Sequence, residues 1–265
     1  MSYRVVVAGA TGACGTAIVR ELAQSGKCAG VTALVRRPHT FAGCDRERVS
    51  SVQVPSLDAL LDDSGGNGAS GVARTVFGEG VQFEAAVCAL GSTMKESGGS
   101  REAFRRVDYD YVCAFVRAAL AAGARRVVLV SAAGASEDSW FFYSRVKGEA
   151  ERAVSALCRE QGAALWILRP ALLLTPARNR GSRRPAEAAV QWLVRALRLS
   201  MGGHLAVTVE EVARITRDVL DSAEGEGAHG LQRVLSRNAD GAIVCSSAAI
   251  HAMAARWTPS EKISQ

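Results

Sequence analysis

Tyr143-Ser-Arg-Val-Lys147 sets a phenol and an ammonium four residues apart, and on a helix that spacing puts both on one face, about one turn from each other. A phenol with a pKa of about 10 is a poor acid or base at neutral pH, but a neighbouring ammonium favours the phenolate and draws its titration toward the working range. Such a pair can trade a proton with an alcohol or a carbonyl. The spacing alone equally suits a solvated helix face. What favours chemistry is Ser131, twelve residues earlier at the end of an apolar run that reads as a strand.

A second constellation lies near the start of the chain, where the β-branched run Tyr3 to Ala8 leads directly into Gly9-Ala-Thr-Gly-Ala-Cys-Gly15. In this GxxGxxG spacing one glycine turns the chain, one lets backbone approach a pyrophosphate, and one packs the following helix on the sheet. The helix that opens after Gly12 would aim free N–H groups and its positive dipole end at the phosphates, with Thr11 and Ala13 beside them. Cys14 sits in the same turn, either as a thiol activated by the helix N-terminus or simply as a small packed residue.

The next strand, Val31 to Val35, should end near the adenosine ribose, where an acid about 20 residues beyond the glycines would mark NAD. Here it ends in Arg36-Arg37, with Arg36 standing 21 residues after Gly15 and no acid in that place. A guanidinium there suits a 2′-phosphate, the alternative being a pair of solvated surface arginines. NADP(H) is therefore the expected cofactor, with NAD(H) as the second option.

The elements that must position these groups alternate. After the first βαβ unit come a weak strand at Val52–Val54, a short helix at Ser56–Asp62 and a glycine-rich stretch from Asp63 to Gly80 that reads as a loop or insertion. Then follow a strand at Phe83–Leu90, a helix over about Arg101–Ala122, a strand at Arg126–Ser131, a helix over about Trp140–Gln161 and a strand at Leu165–Leu168. Continuous apolar strands separated by helices predict an α/β fold, a doubly wound parallel sheet of the Rossmann type. The expected organisation is one domain over 1–265, with a core to about 170 and a small C-terminal substrate-side cap over about 171–265. The cap would hold helices at Ala186–Leu199 and Val209–Ala223, a turn at Gly225–Gly230, a strand around Leu231–Leu235 and an amphipathic end to Trp257.

Taken in order, Gly9-x-x-Gly12-x-x-Gly15, Ser131 and Tyr143-x-x-x-Lys147 resemble the short-chain dehydrogenase/reductase superfamily in its extended or atypical branch, which includes NAD-dependent epimerase/dehydratase-like proteins. More narrowly, Cys88-Ala-Leu-Gly-Ser-Thr93, Arg106-Val-Asp-Tyr-Asp-Tyr-Val112, Val146-Lys-Gly-Glu149 and Leu168-Arg-Pro170 with Arg184-Pro185 are similar to the Tat-interacting oxidoreductase-like proteins, over roughly residues 3 to 220. The resemblance implies a nicotinamide cofactor across the strand ends. Gly9 to Gly15 would hold its pyrophosphate, Leu90-Gly91 would pass close to the ribose, Lys147 would bind the nicotinamide ribose, and Arg169-Pro170 would flank the carboxamide. Tyr143 would be the acid–base and Ser131 the orienting hydroxyl, with Ser136 a substitute because Ala132 stands where relatives often carry a second serine. Asp58 lies later than the Asp that frequently reads adenine after the third strand. Asp108 either faces the cleft or belongs to a polar helix turn.

Three functions are compatible with these residues: an NADP(H)-dependent oxidoreductase acting on a carbonyl or alcohol, a dinucleotide-sensing regulator with a protein partner, and a nucleotide-sugar epimerase or dehydratase. The third is disfavoured by the short region beyond residue 170. Seven scattered cysteines without a CxxC pair and four isolated histidines argue against a disulfide scaffold and a metal site. The charge of +6 comes from 28 arginines against 4 lysines in an Ala- and Gly-rich chain, a bias that does not by itself point to nucleic acid. No membrane span and no presequence are read, so a cytoplasmic protein with a small-molecule substrate is expected, and a homodimer is left open. Arg178-Asn-Arg-Gly-Ser-Arg-Arg184 could grip an anionic substrate or be a solvated loop. Trp140-Phe141-Phe142 could line an apolar pocket or anchor the helix.

Overall fold

The computed structural model describes residues 2–61, 68–174, 206–222 and 235–255. Strands β1 (Tyr3–Ala8), β2 (Cys28–Val35), β3 (Val49–Gln53), β4 (Ala85–Cys88), β5 (Arg126–Val130), β6 (Ala164–Arg169), β9 (Leu235–Arg237) and β10 (Ile243–Ser246) form one sheet in the order β3-β2-β1-β4-β5-β6-β10-β9. All pairs are parallel except β9 with β10. β1 and β4 are central, and their residues from Val5 to Ala8 and Ala85 to Cys88 are shut off from solvent on both faces, which is why they read as unbroken apolar runs. A two-stranded parallel pair, β7 (Leu172–Leu174) with β8 (Ala206–Thr208), lies apart from the main sheet.

Helices cover both faces. On one, α1 (Ala13–Ala23), α6 (Val209–Asp221) and α7 (Ser247–Ala255) bury Ile18, Leu22, Ile215, Leu220 and Ile250 against Val5, Val7 and Leu168. On the other, α2 (Gly68–Phe77), α4 (Tyr111–Ala121) and α5 (Phe142–Glu160) bury Val76, Phe115 and Val154 against Val6, Ala86 and Ile167. The doubly wound Rossmann architecture is thus present. The chain leaves β1 toward β2 and β3, then returns to β4 on the other side, and the crevice where strand order reverses is where such sheets hold ligands.

Three local differences from the expectations have clear causes. The stretch 63–80 is not wholly loop: Val72, Ala73, Val76 and Phe77 recur at helical spacing and are buried, enough to fold α2 despite its glycines. The helix over 101–121 is not uniform. It runs as α3 (Arg101–Arg105), a π turn (Arg106–Asp110) and α4, and a π turn widens the helix by one residue, a feature frequent at functional sites. β10, absent from the expectations, inserts between β6 and β9. The expected helix at Ala186–Leu199, the turn at Gly225–Gly230 and Trp257 lie outside the described residues.

Candidate functional site

The glycine turn closes on the first residue after β4. Gly9 has φ +74°, and a Cβ on it would overlap the Ala89 carbonyl, while a Cβ on Gly15 would overlap the backbone of Gly9 itself. Gly12 is different. Among the described residues, a Cβ there would meet only the Gly9 oxygen, at 3.2 Å. Gly12 caps α1 without any side-chain acceptor, so the first amides of the helix are left for a ligand, and Thr11, Gly12 and Ala13 are all exposed around them.

Arg36 and Arg37 follow β2 directly and are exposed. Among the described residues neither makes an ion pair. Asp58, in the short 3-10 turn after β3, is fully engaged by its neighbours. Its Oδ1 accepts from the Tyr111 hydroxyl at 2.7 Å and from Arg106 Nε at 3.1 Å, and its Oδ2 from Ser56 Oγ at 2.7 Å. The Tyr111 hydroxyl and Arg106 hold its carboxyl down at about 2. This carboxylate fastens the turn to α4 instead of standing free for adenine.

Ser131 is the first residue after β5. Its amide donates to Leu168 O at 2.8 Å, continuing the ladder with β6, and its hydroxyl is buried with no hydrogen-bond partner among the described residues. The loop from Ser131 to Phe141 folds back on α5: Ser136 N donates to Ser144 O, and a Cβ on Gly148 would overlap the Ser136 backbone. Ser136 is exposed and enters this contact through its main chain. Tyr143 opens α5 with its side chain partly exposed and its ring 5.5 Å from that of fully buried Phe104, which also holds Phe142 at 5.7 Å. Among the described residues no hydrogen bond engages the Tyr143 hydroxyl. Phe142 thus anchors the helix, whereas Trp140 and Phe141 stand 96% and 78% exposed.

Lys147, one turn further along α5, is buried, and its Nζ lies 2.7 Å from Asp108 Oδ1. Asp108, on the π turn, is fully buried, and its Oδ2 accepts from Ser92 N at 2.9 Å and Ser92 Oγ at 2.6 Å. Gly91 leaves room for the pair, since a Cβ there would sit 3.2 Å from Lys147 Nζ and 3.5 Å from Asp108 Oδ1. Leu90, just before it, points into the core. Asp108 is the site residue that local spacing could not assign. Its only sequence signal was an acid within the Arg106–Val112 segment.

One more turn along α5, Glu151 is bound by Arg169, whose Nε lies 3.0 and 3.1 Å from the two carboxylate oxygens. The guanidinium at the end of β6 is therefore tied back to α5. Pro170 is buried, and its carbonyl accepts from Ala133 N at 2.9 Å, holding the loop after β5 beside the end of β6. Cys14 is the packed alternative: burial, with Glu210 nearby, pushes its thiol up to about 11. The Arg178–Arg184 cluster lies outside the described residues.

A dinucleotide suits these groups on three observations. Among the described residues, the glycine cradle is bare, the N-terminus of α1 has no side-chain cap, and a buried serine hydroxyl lacks a partner at the end of β5. No group of three or more potential metal ligands occurs among the described residues.

The family model described as NAD(P)H-binding matches residues 9–222. The chain is 32% identical over 192 residues to Protein HTATIP2 of Rattus norvegicus, covering 72% of this chain and 68% of that protein. It is 34% identical over 169 residues to "Protein FMP52, mitochondrial" of Eremothecium gossypii, covering 64% and 66%. The fold is similar to that of MoeE5 solved with UDP-glucuronic acid and NAD, at TM-score 0.56 and 20% identity, covering 84% of this chain and 73% of that one. The FMP52 name assigns those relatives to mitochondria, which overturns the cytoplasmic expectation; that expectation rested only on absent signals. No described helix is long and apolar enough to cross a membrane. With its glycine turn, switch-point crevice and a family match across most of its length, the chain belongs to the NAD(P)H-binding family, among the proteins related to HTATIP2 and FMP52.

Proposed function

We propose that the chain is an NADP(H)-dependent oxidoreductase of the short-chain dehydrogenase type, acting on a carbonyl or alcohol. The bound nicotinamide would supply or accept the hydride. Gly9, Gly12 and Gly15, with the amides around Thr11 and Ala13, would hold the pyrophosphate, and Arg36 and Arg37 the 2′-phosphate. Leu90 and Gly91 would border the ribose, Lys147 would bind its hydroxyls, and Pro170 would flank the carboxamide. In reduction, Tyr143 would give its hydroxyl proton to the substrate oxygen as the hydride reaches the carbonyl carbon. The ammonium of Lys147 would stabilise the phenolate left behind, and the reverse transfer would serve alcohol oxidation. Ser131 would donate to the same substrate oxygen. Of residues 171–265, β9, β10, α6 and α7 build the main sheet and its cover, so the substrate side would fall to the rest of that stretch.

The observation that carries this reading is the pair of unengaged hydroxyls. Among the described residues, Ser131 Oγ is buried without a partner at the end of β5, and no hydrogen bond engages the Tyr143 hydroxyl near the exposed start of α5. Buried polar atoms are nearly always paired, so an orphan in a cleft marks a place a ligand would fill. Its burial favours Ser131 over exposed Ser136 for the orienting role.

A second reading, a dinucleotide-dependent regulator that binds a protein partner, draws support from Trp140 and Phe141, two large aromatics left in solvent on a well-fastened loop. The experiment is a panel of carbonyls and alcohols followed at the nicotinamide absorbance, run on the wild type and on Tyr143→Phe. The oxidoreductase reading expects turnover that falls about 10²–10⁴-fold in the variant with NADPH affinity retained. Equal turnover in both removes Tyr143 from the chemistry. NADPH binding with no turnover across the panel transfers the case to the regulator. Mitochondria are the setting that the FMP52 relatives suggest for this chain.

A further inference from the structure

Asp108 combines three properties that a surface-type acid does not need. It has no solvent exposure, it sits on the π turn that interrupts the helix from Arg101 to Ala121, and it is held from two other elements. Among the described residues its Oδ2 accepts hydrogen bonds from the amide and hydroxyl of Ser92, in the loop after β4, while its Oδ1 accepts none and is faced by Lys147 Nζ of α5 in an ion pair at 2.7 Å.

Among the described residues each oxygen of Asp108 faces groups that can only donate to it, and that favours a carboxylate. A carboxylate accepts on both oxygens, whereas a carboxamide has one accepting oxygen and an NH₂ that only donates. With asparagine at 108, either Lys147 or Ser92 would face another donor. The charge matters as well, because an ammonium removed from water is costly unless a carboxylate compensates it. Gly91 completes the arrangement by leaving bare the space beside Nζ.

We infer that Asp108 is a positioning residue: its carboxylate holds the Lys147 ammonium at the exit of β4 and locks that ammonium to the Gly91–Ser92 loop. The inference rests on the reading of Lys147 as a cofactor-binding residue, but its main test needs neither cofactor nor substrate. Asp108 acts through Lys147 and Ser92 and is assigned no contact with substrate. The π turn contributes by bringing the residue inward against both neighbours.

The chain has four lysines, Lys27, Lys95, Lys147 and Lys262, so each is separately readable by mass spectrometry after brief labelling with an amine-reactive N-hydroxysuccinimide ester. In the wild type Lys147 should label far more slowly than exposed Lys95. Asp108→Asn should speed Lys147 labelling about tenfold or more and raise the NADPH dissociation constant by a similar factor, the least expected when a buried ion pair loses one of its charges. Asp108→Glu, which keeps the charge, should hold Lys147 slow to label even where NADPH affinity falls. Unchanged labelling and affinity in Asp108→Asn, with only a lower melting temperature, would reduce Asp108 to a packing role and overturn the inference. If Asp108→Asn does not fold, Asp108→Glu decides: Lys147 labelling as fast as Lys95 in that variant overturns it equally. A wild type that binds no NADPH would sink the cofactor reading while leaving the labelling result to judge Asp108 alone.

Discussion

Gly148 lies directly against the backbone of Ser136, with no space between them for a Cβ. This contact, made one residue after Lys147, presses the loop that begins at Ser131 onto the helix that carries Tyr143. Replacing Gly148 by Ala forces one of the two to move. The expected cost is about 1–3 kcal/mol, the usual range for overpacking, seen as a lower melting temperature in a protein that still folds. A Gly148→Ala protein that melts like the wild type would show that the loop yields freely.

The three glycines of the turn should separate into two kinds. Gly9→Ala places a side chain at φ +74° and into the Ala89 carbonyl, and Gly15→Ala drives one into Gly9, so both should lose stability outright. Among the described residues, Gly12→Ala has only a 3.2 Å contact to relieve. It should keep a melting temperature near that of the wild type while binding NADPH at least about tenfold more weakly, because the methyl occupies ground kept for the pyrophosphate. Thermal melts paired with cofactor titration check both halves, and weak binding at Gly12→Ala only through unfolding would contradict the distinction.

Arg36 and Arg37 stand exposed after β2 with no ion pair among the described residues, which leaves their guanidinium groups available to a ligand. Replacing both by Ala should weaken NADPH binding by about 10–100-fold, the scale of one or two charge-assisted hydrogen bonds, and leave NADH binding within about twofold. Calorimetry with the two dinucleotides reads this directly. Equal losses for both would place the arginines away from the 2′-phosphate.

Burial pushes all seven thiols up: Cys14, Cys28 and Cys113 to about 11, Cys88, Cys158 and Cys245 to about 12, and the half-buried Cys44 in the same direction. In the unfolded chain these groups ionise at about 8.5. The unfolded state therefore binds fewer protons above that pH, and the stability gained by burying neutral thiols is intact below about 8.5 and lost as pH rises toward 11–12. Melting temperature should fall progressively across this window, and Cys14 alkylation by iodoacetamide should keep rising with pH instead of levelling off near 9. A melting temperature flat from pH 8 to 10.5 would contradict the buried assignment.

The central strands were legible because burial on both faces forces continuous apolar runs, and Tyr3–Ala8 is a strand at the very residues its pattern indicates. Glycine counting hid α2, whose stripe of Val72, Val76 and Phe77 outweighed it. β10 was missed because Ile243–Ser246 is four residues long and passes without a break into α7. At the site, the glycine turn and the Tyr143/Lys147 spacing are local and could be read, whereas Lys147 with Asp108 and Gly148 with Ser136 are meetings of distant segments that no local spacing encodes. Arg169 shows the same limit, since only the fold reveals that Glu151 claims its guanidinium.

A crystal structure grown in saturating NADPH tests the central claim most directly. The pyrophosphate should lie over Gly12 and Ala13, the 2′-phosphate against Arg36 and Arg37, and the nicotinamide ribose within hydrogen-bonding reach of Lys147. A crevice between β1 and β4 that stays empty at saturating NADPH, or that the chain's own side chains fill, would contradict it.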